Sequence, residues 1–118
     1  MATNPIPVSA LSMATDRTPA EIVVHCTGKV TSDTVQQLRA TVKPLLSESK
    51  TVVLDLTNVT YVDSSGLGAM VGLYISAKVA KSQLRLINLN EHLKEIFSIT
   101  RVGQVMAQGR DPEDLRAP

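Results

Sequence analysis

The chain has 118 residues, 43% of them hydrophobic and 19% charged, and its 12 basic and 11 acidic side chains give a formal net charge of +1. That length suits one domain with its own core, and the composition excludes a disordered or membrane-embedded chain. A single cysteine, Cys26, excludes an internal disulfide framework and a cysteine-built zinc finger, and the lack of a basic stripe excludes the electrostatic footprint of a nucleic-acid binder.

In chain order, residues 1–7 (MATNPIP) read as a loose lead-in, and a single domain is placed over 8–118. VSALSMAT predicts a weak strand with Leu11 and Met13 two apart, and DRTPAE over 16–21 predicts a turn. EIVVHCTG over 21–28 is β-branched and predicts the next strand, closed by Gly28 and joined to the first as an antiparallel hairpin. The oxygens of Thr31, Ser32, Asp33 and Thr34 suit a helix N-cap. After them Val35, Leu38, Val42, Leu45 and Leu46 recur at helical spacing, with Pro44 interrupting late.

SESK (47–50) predicts a loop, and TVVLDLTNV (51–59) a strand whose near-continuous apolar run suggests cover on both faces. A long helix is predicted from near Ser65 to about Lys81, with Leu67, Met70, Val71, Tyr74, Ile75 and Val79 as its apolar positions. QLRLIN (83–88) predicts a strand, and EHLKEIFS (91–98) a short helix with Leu93, Ile96 and Phe97 inward. Gly103 is read as ending a bend, Val105-Met106 as a last short strand, and DPEDLR as a terminal helix. Strands alternating with helices imply a mostly parallel central sheet with right-handed crossovers.

The chain lacks a GxxxxGK[ST] loop, a GxSxG elbow, HExxH and CxxC, so no enzyme activity, metal or cofactor is expected. No apolar run reaches membrane-spanning length, and residues 1–20 lack a charged start followed by an apolar stretch. No membrane span and a cytoplasmic location are therefore expected. His25 and His92 show no obvious partners in the sequence; His25 reads as a packed or edge histidine and Cys26 as a small core residue.

Asp63-Ser64-Ser65-Gly66-Leu67-Gly68 lies where a buried strand passes into a helix. A helix N-terminus there presents free N–H groups and partial positive charge, so the two hydroxyls suit an anionic modification. The plainer alternative is that Ser64 or Ser65 caps the helix.

The run NVTYVDSSGLGAMVGLY resembles the signature of STAS domains, in particular the bacterial anti-sigma factor antagonists. VVLDLTNVTYVDSSGLGAM, LRLINLNEHLKEIFSITRVGQV and EIVVHCTGKVTSDTVQQLR extend the likeness over residues 8–106. The resemblance implies an α/β STAS fold: a mixed, mostly parallel sheet of four to five strands with an opening antiparallel hairpin and three to four helices. It implies a regulatory protein that binds an anti-sigma factor, itself a serine kinase, and so frees a sigma factor for transcription. Phosphorylation of the serine after the motif aspartate, here Ser64, would switch binding off, and a PP2C-type phosphatase would reverse it.

Asp63, Ser64, Ser65, Gly66, Lys29 and Thr31 would then form the partner-binding edge. Gly28-Lys29-Val30-Thr31 departs from the acidic Gly-Glu-x-Asp pattern of many antagonists, with Lys29 reversing a charge. Two other readings stand beside this one. One is a STAS protein in lipid transport or a signalling scaffold without the switch. The other is a small phosphotransfer or receiver-like domain using Asp55 or Asp63, which the lack of an acidic pair at the end of the first strand disfavours.

Overall fold

Alternating side chains decide which way each strand faces. Ile22, Val24 and Cys26 on β2 (Ile22–Val30), Val52, Leu54 and Leu56 on β3 (Thr51–Val62), and Leu84 and Leu86 on β4 (Gln83–Ile87) form one continuous buried row set. With β1 (Leu11–Arg17) these strands make a single sheet in the order β1-β2-β3-β4 in the computed structural model, which describes residues 10–108. β1 runs antiparallel to β2, and the other pairs are parallel. The parallel pairs need crossovers. α1 (Val35–Leu45) supplies the first and α2 (Ser64–Val79) the second; α3 (Glu91–Phe97) and α4 (Arg101–Ala107) follow.

All four helices contribute to one core. Leu38, Val42 and Leu45 of α1 meet Leu67, Met70, Leu73, Tyr74 and Ala77 of α2, with Leu93 and Phe97 of α3 and Val105 and Met106 of α4 completing it. Cys26 lies in this core, where burial pushes its thiol up to about 12; it is a packing residue, as expected.

Several expectations need correction. Among the described residues, the strand of residues 51–59 is helix-covered on one face only. Val53 is buried but outside the core cluster, and the row holding His25 and Asp55 faces away from it. The strand also runs on to Val62, because two register shifts against β2 insert extra residues between Asp55 and Asn58 and between Val59 and Tyr61. Such bulges bend a strand and reset which side chains point inward, so inward positions become Leu56, Val59 and Val62.

Gly28 does not close β2. The strand continues through it to Val30 with Gly28 at φ 118°, and a side chain there would run into the Ala10 carbonyl. Asp16 and Arg17 belong to β1 rather than the turn. Val105-Met106 is helical, not a strand: the Thr100 hydroxyl accepts the Gly103 N–H at 2.9 Å, and Gly103 lies flat against the Phe97 carbonyl. Ile75 and Val79 are exposed, the latter at 80%, whereas Leu73 is the buried position the periodic reading lacked. Pro44 sits within the last turn of α1. The expected lead-in and the DPEDLR helix lie outside the described residues.

Candidate functional site at the head of the second crossover helix

β3 hands over to α2 at the sheet edge where β2 also ends. The bulged end of β3 brings Tyr61 level with Lys29 and Val62 level with Val30. The Asp63 N–H then donates to the Val30 carbonyl at 3.1 Å, tying the start of α2 to the end of β2. The Asp63 carboxylate does two further things. Oδ1 accepts the Gly66 N–H at 2.8 Å as the helix cap, and Oδ2 accepts the Ser32 N–H at 3.3 Å from the turn after β2.

The cap is therefore Asp63, and neither Ser64 nor Ser65 performs that task. Both serines are exposed, and the Ser64 hydroxyl makes no hydrogen bond among the described residues. Leu67 N–H is taken by the Asp63 carbonyl at 2.9 Å, so among the described residues the Ser64 and Ser65 N–H groups are the open donors of the first turn. A free hydroxyl beside open N–H groups at the positive end of a 16-residue helix is suited to carry an anionic ester. Gly66 is buried, and its missing side chain lets the helix approach the Val30 carbonyl; Gly68 has open space around it.

The structure brings the expected site residues together in part by direct contact. Asp63 and Gly66 are linked to the end of β2 and the turn after it through Val30 and Ser32, with Ser64 and Ser65 beside them. Lys29, on β2, and Thr31, in the turn, are half-buried. Thr34, buried, accepts the Thr31 N–H at 2.9 Å and donates to the Lys29 carbonyl at 2.9 Å, so its hydroxyl orders the turn and makes no cap bond to α1.

Two residues at this edge were not foreseen together. Tyr61, exposed, stacks on His92 of α3 with ring centroids 5.4 Å apart. The pairing joins residues on separate elements, and no local motif announces it. His25 likewise has partners the sequence did not reveal, Asp16 and Asp55, but on the open sheet face. The receiver-like reading finds no support: among the described residues no group of three or more His, Cys, Asp or Glu is placed to hold a metal. No helix among them is long and apolar enough to cross a membrane.

The cap makes a testable demand. Asp63→Ala removes an N-cap and a second backbone acceptor, and is expected to cost about 1–2 kcal/mol of stability. Asp63→Asn keeps the cap acceptor but turns a donor toward the Ser32 N–H, and should cost less than alanine. Ser64→Ala should lie within about 0.5 kcal/mol of the parent. Urea midpoints of the three variants decide it. A Ser64→Ala loss as large as that of Asp63→Ala would return the cap to the serine.

Comparison with known proteins places these features in a wider set. The family model described as "Mlab, STAS domain" matches residues 13–108. The anti-sigma-B factor antagonist of Bacillus subtilis (strain 168) is 31% identical over 86 residues, covering 73% of this chain and 79% of that protein. Among solved structures, an anti-sigma factor antagonist from Mycobacterium paratuberculosis superposes with a TM-score of 0.75 at 14% identity, covering 92% of this chain and 91% of that one. The Bacillus cell fate determinant SpoIIAA in its phosphorylated form gives 0.63 at 19% identity, covering 78% and 86%. At those identities the structural likeness speaks for the fold.

Proposed function

We propose a regulatory binding role for this protein, which belongs to the STAS domain family. In that role it acts as an anti-sigma factor antagonist in the cytoplasm. The unmodified chain binds an anti-sigma factor that is also a serine kinase, sigma-factor-dependent transcription follows, and phosphorylation of Ser64 ends the binding. A PP2C-type phosphatase restores it. The chain contributes a docking edge and an acceptor hydroxyl rather than catalysis.

The observation that carries this reading is the division of tasks at the head of α2. Asp63 closes the helix, and the exposed Ser64 hydroxyl, with no hydrogen bond among the described residues, stands beside the end of β2 and the turn that follows it. The names of the relatives support it, since the Bacillus subtilis protein is an anti-sigma-B factor antagonist and one related structure is of a phosphorylated form. Phosphorylation adds about 1.5–2 negative charges, which reverses the sign of the net charge of +1. Locally it sets a dianion next to Asp63 in the middle of the docking edge, where repulsion and desolvation weaken partner binding without refolding. Lys29, reversed in sign from the pattern of many antagonists, calls for an acidic counterpart on this protein's own partner.

The matched family model is described as "Mlab, STAS domain" and its description does not mention an antagonist. That favours keeping one second reading, a STAS protein in lipid transport or a scaffold, which uses the same edge without phosphorylation. Phosphopeptide mapping after incubation with the serine kinase and ATP separates the two. The expected result is one phosphopeptide, with the phosphate on Ser64. Phosphate on Ser65 would overturn the residue assignment. An unmodified chain that co-purifies with a transporter ATPase would favour the second reading.

A further inference from the structure

The open face of the sheet carries a polar row that has no part in the proposed switch. His25, in the middle of β2, lies between two carboxylates from the flanking strands. Its Nδ1 is 2.9 Å from Asp55 Oδ2 on β3, and its Nε2 is 3.0 Å from Asp16 Oδ2 on β1. Asp55 Oδ1 in turn accepts the Thr57 N–H at 3.0 Å, the Thr57 hydroxyl at 2.6 Å, and Asn88 Nδ2 at 3.0 Å from the end of β4. The row thus spans the sheet from edge to edge.

Neither ionised carboxylate can donate a hydrogen bond, so both ring nitrogens must. Only the imidazolium satisfies both contacts. A neutral ring would turn a lone pair toward one carboxylate oxygen at about 3 Å, which is repulsive. The two carboxylates are not equally held. Asp55 is largely buried, with three other donors fixing it, while Asp16 is exposed and accepts only from His25 among the described residues. When the ring loses its proton, the contact to Asp16 is the one free to open.

We infer that His25 is a base-sensitive latch: as an imidazolium it ties the edge strand β1 to the centre of the sheet through Asp16, and on deprotonation it releases that end of β1. The surroundings make the ring's charge depend on these two acids. The residue paired directly with His25 on β1 is Ala14, and the one paired with Asp55 on β4 is Ile87. Arg85 stands one row away on β4, level with Val53, and among the described residues no helix packs on this face. The hydrogen bonds to Asp55 and then to Asp16 hold the ring's proton above its ordinary range. A group whose proton is held more tightly in the folded state stabilises that state fully below its unfolded value, about pH 6.5, and loses the effect as pH rises through the folded value. The latch is therefore closed below about pH 6.5, while the carboxylates stay ionised, and opens as pH rises through the ring's raised folded value.

The rest of β1 has its own anchors. Leu11 is buried and its carbonyl accepts from Gln37 at 2.6 Å, whereas among the described residues the Asp16 end keeps only its backbone pairing to β2 and an exposed, weak Arg17–Glu48 ion pair at 3.3 Å, so release should be local to that end. This inference stands apart from the proposed switch at Ser64, and either can fail without the other. The test is an NMR titration of the His25 ring in the full chain, with amide exchange of Met13–Arg17 corrected for the intrinsic rate. The ring should titrate above about pH 6.5, with both nitrogens protonated below its midpoint. Protection of these amides should fall severalfold through that midpoint in the parent, and show no such step in His25→Gln. Asp16→Asn alters only an exposed side chain. It should lower the midpoint and remove the step, even if His25→Gln folds poorly. A ring that titrates at or below the ordinary value overturns the inference. So does a protection step of equal size in Asp16→Asn.

Discussion

Gly66→Ala is expected to destabilise the domain by about 2–3 kcal/mol, the upper part of the range for overpacking a well-filled site. The added methyl would overlap the Val30 carbonyl oxygen, come 2.9 Å from its carbon and press on a Val30 side-chain methyl at 3.0 Å. Backbone cannot step aside there. The same carbonyl accepts the Asp63 N–H, so moving it breaks the bond that ties α2 to β2. A gain of up to about 1 kcal/mol from better helix propensity runs the other way and is outweighed. Gly68 and Gly72 supply the control on the same helix, since nothing lies within 4 Å of a methyl at either. Alanine at those positions should stabilise by about 0.5–1 kcal/mol. Thermal unfolding should separate the variants by sign, at about 4 °C per kcal/mol. A Gly66→Ala protein as stable as Gly68→Ala would show that the approach of α2 to β2 is looser than the backbone geometry requires.

The second large effect is on binding. Ser64→Asp is expected to weaken association with the serine kinase by about 1–3 kcal/mol, or about five- to a hundredfold in affinity, whereas Ser64→Ala should keep binding and abolish phosphorylation. Alanine removes an exposed hydroxyl with no hydrogen bond among the described residues; aspartate places a charge beside the capping carboxylate. Because Asp63 and not residue 64 closes the helix, both variants should fold as the parent does. Calorimetry of parent and variants against the kinase reads the difference. Equal affinities for parent and Ser64→Asp would remove the charge switch while leaving the fold and its docking edge in place.

Much of the architecture could be read from local pattern. The β-branched runs, the helical spacing after Thr34 and the small residues after Asp63 placed the strands and crossovers in order, because each signal lies within a few neighbouring residues. What escaped depends on partners distant in the chain. Asp16, His25 and Asp55 meet only once strand register is known, and a one-residue slip would send them to the other face. The bulges in β3 are set by its pairing with β2, so the inward step from Leu56 to Val59 to Val62 looks like irregularity in the sequence. For α4 a local signal did exist: Thr100 ahead of Gly103 as a cap, and Val102, Val105 and Met106 at helical intervals. The adjacent apolar pair Val105-Met106 after Gly103 carries the competing strand signal. At the site, the motif led to the exposed Ser64 hydroxyl, but three consecutive oxygen-bearing side chains left open which of them holds the helix.

That Asp63 holds it has a consequence for turnover. A side chain that supports no part of the scaffold can be esterified and hydrolysed again with no structural debt carried from one round to the next. Each copy of the chain is then reusable. Under the proposed switch, the speed of a response built on Ser64 would be set by the enzymes that add and remove the group, and not by fresh synthesis or refolding of the protein that carries it.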